Sequence, residues 1–293
     1  MENWLKLNGE VCAVTGALGG MGAQICREFA ENGAHVVMLD LDSEKVQAAA
    51  TELATTYGVR ALGLRMDATS EEEVQAAVDA ALAEFRRVDV LVNTAGILRF
   101  APMEDLPLSD WEATVKVNLT GYFITSQRFG RAMIEAGGGR LVHISTVASH
   151  SPETFSGAYS STKAGVNQLS KMLASEWGPY GVRSNCVEPC FVKTPMSANF
   201  YSDPEVERGR SRLIATRRIG EVSDIADAVM FLASPRSDFT TGAEIKVDGG
   251  FSNMMGDLTP KPGGRRAYAE NYLDGRGIER WSATADITRP SDQ

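Results

Sequence analysis

Two hydrophobic rhythms alternate along this chain. Short runs rich in β-branched and aliphatic residues fall at 11–15, 36–40, 61–66, 88–93, 140–145, 184–188 and 244–247. Between them, apolar residues recur at three- and four-residue spacing, as in Val74, Ala77, Val78, Ala81, Leu82 and Phe85, the period of an amphipathic helix. Strand–helix–strand repetition predicts an α/β domain: a doubly wound parallel sheet of about seven strands, helices on both faces, and ligands at the carboxyl ends of the strands. The alternation stops at Val247-Asp248-Gly249-Gly250, which bounds a single domain at 1–252. The C-terminal extension, 253–293, has a different texture. Pro260, Pro262, Gly263 and Gly264 precede a helical pattern around Tyr268 to Leu273, and Tyr268, Tyr272 and Trp281 are its sticky points. It reads as a surface extension or as an arm docked on a neighbouring subunit or the active site.

Bulk properties narrow the class. With 43% hydrophobic and 23% charged residues the chain has an ordinary globular composition. A formal charge of −9 argues against general nucleic-acid binding, which needs a basic face. The first residues pass straight into a strand-like run with no secretory pattern, and no apolar run reaches membrane-spanning length. Cys12, Cys26, Cys186 and Cys190 form no CxxC pair and no His/Cys cluster at metal-ligand spacing, so no metal is expected and a reduced, cytoplasmic setting is the simplest reading.

The first strand runs into Thr15-Gly16-Ala17-Leu18-Gly19-Gly20-Met21-Gly22, and a helical pattern follows at once. Glycines at such a turn let backbone approach a pyrophosphate, which then sits on free N–H groups at the positive end of a helix. Gly16, Leu18, Gly20, Met21 and Gly22 are therefore expected to cradle a dinucleotide. Asp40 ends the second strand eighteen residues after Gly22, where a carboxylate can accept from the adenosine ribose hydroxyls. Neither the cradle nor the neighbouring Leu41 offers a cation for the extra phosphate of NADP, which favours NAD. Alternatively, Asp40 or Asp42 serves only to cap the helix beginning near Ser43.

Tyr159 and Lys163 stand four residues apart at the start of a helical pattern and so share one face. A free phenol has a pKa of about 10. A neighbouring ammonium is expected to lower it toward the range useful for proton transfer.

Taken together, these residues resemble the short-chain dehydrogenase/reductase family, in its shorter single-domain, Rossmann-type branch, over about residues 7–252. The blocks appear in order: TGxxxGxG at Thr15 to Gly22, Asp67 after the third strand, Asn93-Thr94-Ala95-Gly96 after the fourth, Asn118 in VNLTG, YxxxK at Tyr159 to Lys163, and Val247-Asp248-Gly249-Gly250. The resemblance implies that Tyr159 is the acid/base, that Lys163 tunes it and holds the nicotinamide ribose, and that Asn118 anchors a proton-relay water. It implies cofactor contacts at Asp67, Ala68, Asn93, Ala95 and Gly96, with Val117 nearby, and at Pro189, Val192 and Thr194 beside the nicotinamide. It also implies a homotetramer or dimer, with interfaces on the helices around 111–133 and 160–177.

Two positions depart from the family pattern. The serine expected thirteen residues before the tyrosine is Thr146 here, with Ser145 one step earlier. Spacing favours Thr146 as the hydroxyl that holds the substrate oxygen, unless a one-residue bulge reverses the choice. Where the family has Pro-Gly, this chain has Pro189-Cys190, and Cys190 reads as a packing residue more readily than as a reactive thiol. Segment 196–218 is expected to be a mobile lid, its Phe200, Tyr201, Leu213 and Ile214 serving either an apolar substrate or lid packing. His150 reads as an exposed loop residue. The expected function is NAD-dependent hydride transfer between nicotinamide and a small secondary alcohol or ketone. The rivals are an NADPH-type 3-oxoacyl carrier-protein reductase and a noncatalytic dinucleotide-sensing protein.

Overall fold

A computed structural model describes residues 4–254. The extension beyond it, including the helix expected around Tyr268 to Leu273, lies outside the described residues. Seven parallel strands form one sheet: β1 (Val11–Thr15), β2 (His35–Asp40), β3 (Ala61–Arg65), β4 (Val90–Asn93), β5 (Gly139–Ile144), β6 (Val182–Pro189) and β7 (Glu244–Val247), in spatial order β3-β2-β1-β4-β5-β6-β7. Strand β4 begins two residues later than its apolar run, just after Asp89. Its buried carboxylate accepts from the Val11 N–H at 2.8 Å and pairs with Arg87.

Among the described residues eight α-helices connect the strands: α1 (Gly20–Glu31), α2 (Ser43–Tyr57), α3 (Glu71–Phe85), α4 (Leu108–Val115), α5 (Gly121–Glu135), α6 (Tyr159–Trp177), α7 (Pro204–Arg212) and α8 (Val222–Ala233). Local chemistry sets their ends. Asp42 and Ser70 cap α2 and α3 by accepting from the backbone N–H three residues on, and Gly58 closes α2 in the left-handed region. One apolar face of the sheet is covered by α1, α2 and α8, through Ile25, Phe29, Val46, Ile225 and Val229. The other is covered by α3, α5 and α6, through Val74, Val78, Phe129, Met133 and Leu173. Burial on both faces explains why the strands read as continuous apolar runs.

After β3 the chain returns to the middle of the sheet and lays β4 on the other side of β1, with Thr15 opposite both Leu39 and Asn93. Connections on the two sides of this point diverge, which opens a crevice at the carboxyl ends of β1 and β4. No described helix is long and apolar enough to cross a membrane.

Helix α2 lies close on β3. A Cβ on Gly63 would stand 2.3 Å from the Val46 carbonyl oxygen, a backbone atom that cannot turn aside. Gly63→Ala is expected to cost about 1–3 kcal/mol by overpacking. Chemical denaturation checks this, with dinucleotide affinity unchanged because Gly63 lies outside the crevice.

Candidate active site

The crevice is a cavity of about 550 Å³. At Gly16 the backbone adopts φ +63°, and a Cβ there would press on Ala95 at 3.0 Å. At Gly22 a Cβ would lie 2.2 Å from the Gly16 carbonyl oxygen, so the first turn of α1 can fold over the loop only without a side chain. The first N–H groups of α1 receive no side-chain cap and open on the cavity, which Gly16, Leu18, Gly20, Met21 and Gly22 all line. Uncapped donors at a helix N-terminus are an anion site.

Asp40 and Leu41 line the same end. One Asp40 oxygen accepts from the Leu18 N–H at 2.9 Å and the other from the Leu41 N–H at 2.8 Å, fixing the carboxylate against the cradle. Capping of α2 falls to Asp42 instead. Asp67 and Ala68 form the adjoining wall. Burial raises the Asp67 pKa, but the N–H and hydroxyl of Thr69, both at 2.8 Å, outweigh it and hold the carboxyl below its ordinary value.

Not every expected cofactor contact reaches the cavity. The Asn93 side chain is buried elsewhere: its amide nitrogen lies 3.2 Å from Ser126 Oγ and from His143 Nδ1, and its oxygen accepts from Thr125 at 2.9 Å. It ties β4 to α5 and β5, and Thr94, Ala95 and Gly96 form the wall. Val192 likewise packs into the core instead of the cavity. Pro189 and Thr194 do line it.

At the opposite end α6 begins with Tyr159, one turn from Lys163, and both line the cavity. Lys163 is almost fully buried. Its ammonium donates to the Ile144 carbonyl at 2.7 Å and to Tyr122 Oη at 3.0 Å, and lies 5.9 Å from the centre of the Tyr159 ring. Burial pulls the Lys163 pKa down to about 7. Burial also pushes the Tyr159 phenol up to about 12, with Glu153 adding to the rise. The shift runs opposite to the lowering expected from its neighbour, because desolvation dominates. Tyr122, which binds the Lys163 nitrogen, has no signature in sequence spacing.

Ser145 donates to the Lys163 carbonyl at 3.2 Å, which turns its hydroxyl toward the α6 backbone. The Thr146 hydroxyl donates to the Pro189 carbonyl at 3.3 Å and accepts from the Ala148 N–H at 3.2 Å. Both residues line the cavity, Thr146 being the less buried. Asn118 sits in a π-helical turn, Lys116–Thr120, behind the wall. Its amide makes a reciprocal pair with the Ile97 backbone at 2.8 Å, and its oxygen lies beside Gly96. Such turns recur at functional sites. Burial raises the Cys190 thiol to about 12, which keeps it protonated and fits packing.

The 196–218 segment divides. Phe200 packs edge-on against Phe100 with ring centres 6.0 Å apart, and the Arg210 guanidinium lies over the Phe200 ring at 4.3 Å. Ile214 is buried beneath Gly249 and belongs to the body. The segment's first turn rests on the cradle, where a Cβ on Gly20 would lie 2.7 Å from Pro195 Cδ. His150 is exposed as expected, yet it engages Glu188 at 2.9 Å and does not line the cavity.

Comparison with known proteins agrees with this arrangement. Residues 16–252 match the family model described as enoyl-(acyl carrier protein) reductase, adh_short_C2. D-Threitol dehydrogenase of Mycolicibacterium smegmatis is 40% identical over 247 residues, 84% of this chain and 94% of that protein. The 3-oxoacyl-[acyl-carrier-protein] reductase of Aquifex aeolicus is 37% identical over 246 residues, 84% of this chain and 98% of that protein. A solved gluconate 5-dehydrogenase from Burkholderia cenocepacia, in complex with NADP and tartrate, superposes with a TM-score of 0.82 at 32% identity, covering 86% of this chain and 98% of that one. The chain belongs to the short-chain dehydrogenase/reductase family, oxidoreductases of alcohols and ketones that use nicotinamide cofactors.

The Lys163 shift has a sign that can be measured. Its pKa falls from 10.5 in the unfolded chain to about 7 in the fold, so between these values the unfolded state holds more protons and Lys163 makes stability rise with pH. Across pH 7–10, Lys163→Met is expected to lose this slope, shifting the gap between the two proteins in the wild type's favour by about 1 kcal/mol per pH unit. Denaturant titrations at several pH values test it, and parallel pH profiles would refute it.

Proposed function

We propose that this protein is an NAD-dependent dehydrogenase of secondary hydroxyl groups on small alcohols, polyols foremost, and that it runs in reverse as a carbonyl reductase. The observation that carries the reading is one cavity with Asp40 fixed at one end and Tyr159, Lys163 and Thr146 gathered at the other. The polyol preference rests on the similarity to D-threitol dehydrogenase.

The uncapped start of α1 receives the pyrophosphate, and Asp40 accepts from the adenosine ribose hydroxyls. Bound there, the oxidised nicotinamide supplies the hydride acceptor and a positive charge. Thr146 Oγ1 turns its proton from the long bond to the Pro189 carbonyl to the substrate oxygen and orients the carbinol carbon. Tyr159 takes the hydroxyl proton as hydride leaves that carbon, and returns it in the reductive direction. Its high resting pKa keeps the phenol protonated, with a proton in place for a carbonyl in the reductive direction; for oxidation, the cationic ring and Lys163 favour the phenolate. Asn118 holds the wall behind Lys163, where a relay water completes the proton path. The subunits pair through α5 and α6, where Phe123 and Met172 are exposed.

A carrier-protein ketone reductase using NADPH is the second reading, favoured by the Aquifex aeolicus relative. Against it stands Asp40, whose charge repels a 2′-phosphate, with Lys163 the one Lys or Arg among the described lining residues and far along the cavity from Asp40. Reduced-nicotinamide absorbance with NAD or NADP and a panel of threitol, galactitol, glycerol and simple secondary alcohols decides between them. Turnover with NAD is expected, falling by about 10²–10⁴-fold in Tyr159→Phe. Asp40→Ala is expected to narrow the preference for NAD over NADP. Faster turnover with NADP, or activity confined to carrier-bound ketones, would overturn the assignment.

A further inference from the structure

A second group of ligand atoms lies outside the crevice, where the β5–α6 connection, α6 and the β6–β7 edge of the sheet meet. His150 Nε2 stands 2.9 Å from Glu188 Oε1 and 3.0 Å from Glu244 Oε2, and one ligand atom from each of the three residues falls within 4.8 Å of the others. Glu188 is fully buried. Its Oε1 accepts from Asn167 Nδ2 at 2.7 Å, while its Oε2 and the Asn167 Oδ1 are buried without a hydrogen-bond donor. A buried carboxylate oxygen without a partner is costly, and a neutral imidazole offers a single N–H at Nε2 to share between two carboxylates. Lys171 Nζ, 2.6 Å from Glu244 Oε1, neutralises one carboxylate and leaves the other.

We propose that His150, Glu188 and Glu244 bind a divalent first-row cation, Zn²⁺ or Mn²⁺, with the Asn167 amide oxygen as an adjacent acceptor. One imidazole nitrogen among carboxylate and amide oxygens suits these ions better than soft Cu(I) or all-oxygen Ca²⁺. An octahedral shell of bonds near 2.1 Å sets neighbouring ligands about 3.0 Å apart, the spacing already held by His150 with each glutamate. The donors come from three separate segments, which is why ligand spacing along the sequence gives no sign of them. The ion joins edge strand β7 to β6 directly before Pro189, whose carbonyl accepts from Thr146, and Ser149 extends the link by donating to the Thr146 carbonyl at 2.6 Å. Its role is structural: it holds the end of β6 against the connection that carries Thr146.

The test is calorimetric titration of ZnCl₂ and MnCl₂ into the full-length, tag-free protein after chelator treatment, with thermal unfolding in parallel. One ion per chain is expected, at about micromolar affinity for Zn²⁺, with a rise in Tm. His150→Ala and Glu244→Gln, both at partly exposed positions, are expected to weaken binding at least about tenfold and to abolish the rise in Tm. Cys190→Ser is expected to leave binding unchanged, which separates this site from thiol capture. No saturable binding of either ion up to about 1 mM, or binding that survives in both variants, would overturn the proposal.

Discussion

The site depends on how the ends of β1 and β4 are tied together. Thr15 Oγ1 accepts from the N–H of Thr94 at 3.1 Å and of Ala95 at 3.3 Å, and Thr94 Oγ1 donates to the Thr15 carbonyl at 2.5 Å. These bonds fasten the two halves of the sheet at the one place where the winding direction changes. They satisfy backbone groups that leave the ladder there and would otherwise be buried without partners. The cradle lies on one side of this tie and the wall from Thr94 to Gly96 on the other, so the width of the crevice is set by side chains that touch neither end of it.

The second constraint is electrostatic. Lys163 is a buried amine whose hydrogen-bond partners are a carbonyl and a phenol, neither carrying charge. Holding its positive charge in the fold therefore costs stability, and burial draws its pKa down to about 7. When protonated it favours an anion forming nearby, and the centre of the Tyr159 ring lies 5.9 Å away. His143, buried and lowered to about 3 by desolvation and by Lys163, remains neutral and serves only as a hydrogen-bonding link between Asn93 and Ser184. The same desolvation that keeps Tyr159 protonated at rest makes its response to an arriving cation large.

Much of the fold was legible because its determinants are local or periodic. The seven apolar runs became seven strands with ends displaced by no more than two residues, and the apolar spacing between Val74 and Phe85 became the buried face of α3. The glycine turn and the Tyr159–Lys163 spacing were legible because backbone close approach and helical pitch restrict which residues fit. What escaped depends on non-local burial. The direction of the Tyr159 shift could not follow from a four-residue spacing, since it is set by how much water is removed and by Glu153 in the preceding connection. Asn93 reads in sequence as a cavity residue, but Ser126, Thr125 and His143, from two other elements, claim its side chain. The 196–218 segment reads as one lid, yet Ile214 is held under Gly249 because the last glycine turn closes over it.

The contact between Gly20 and Pro195 joins two parts of the cavity that the chain order keeps far apart. The turn that opens the substrate-side loop bears directly on the first turn of the phosphate cradle, with no side chain between them as a spacer. A residue larger than glycine at position 20 would have to displace Pro195, so the cradle and the loop can be reshaped only together, and the freedom to vary one is limited by the fit of the other.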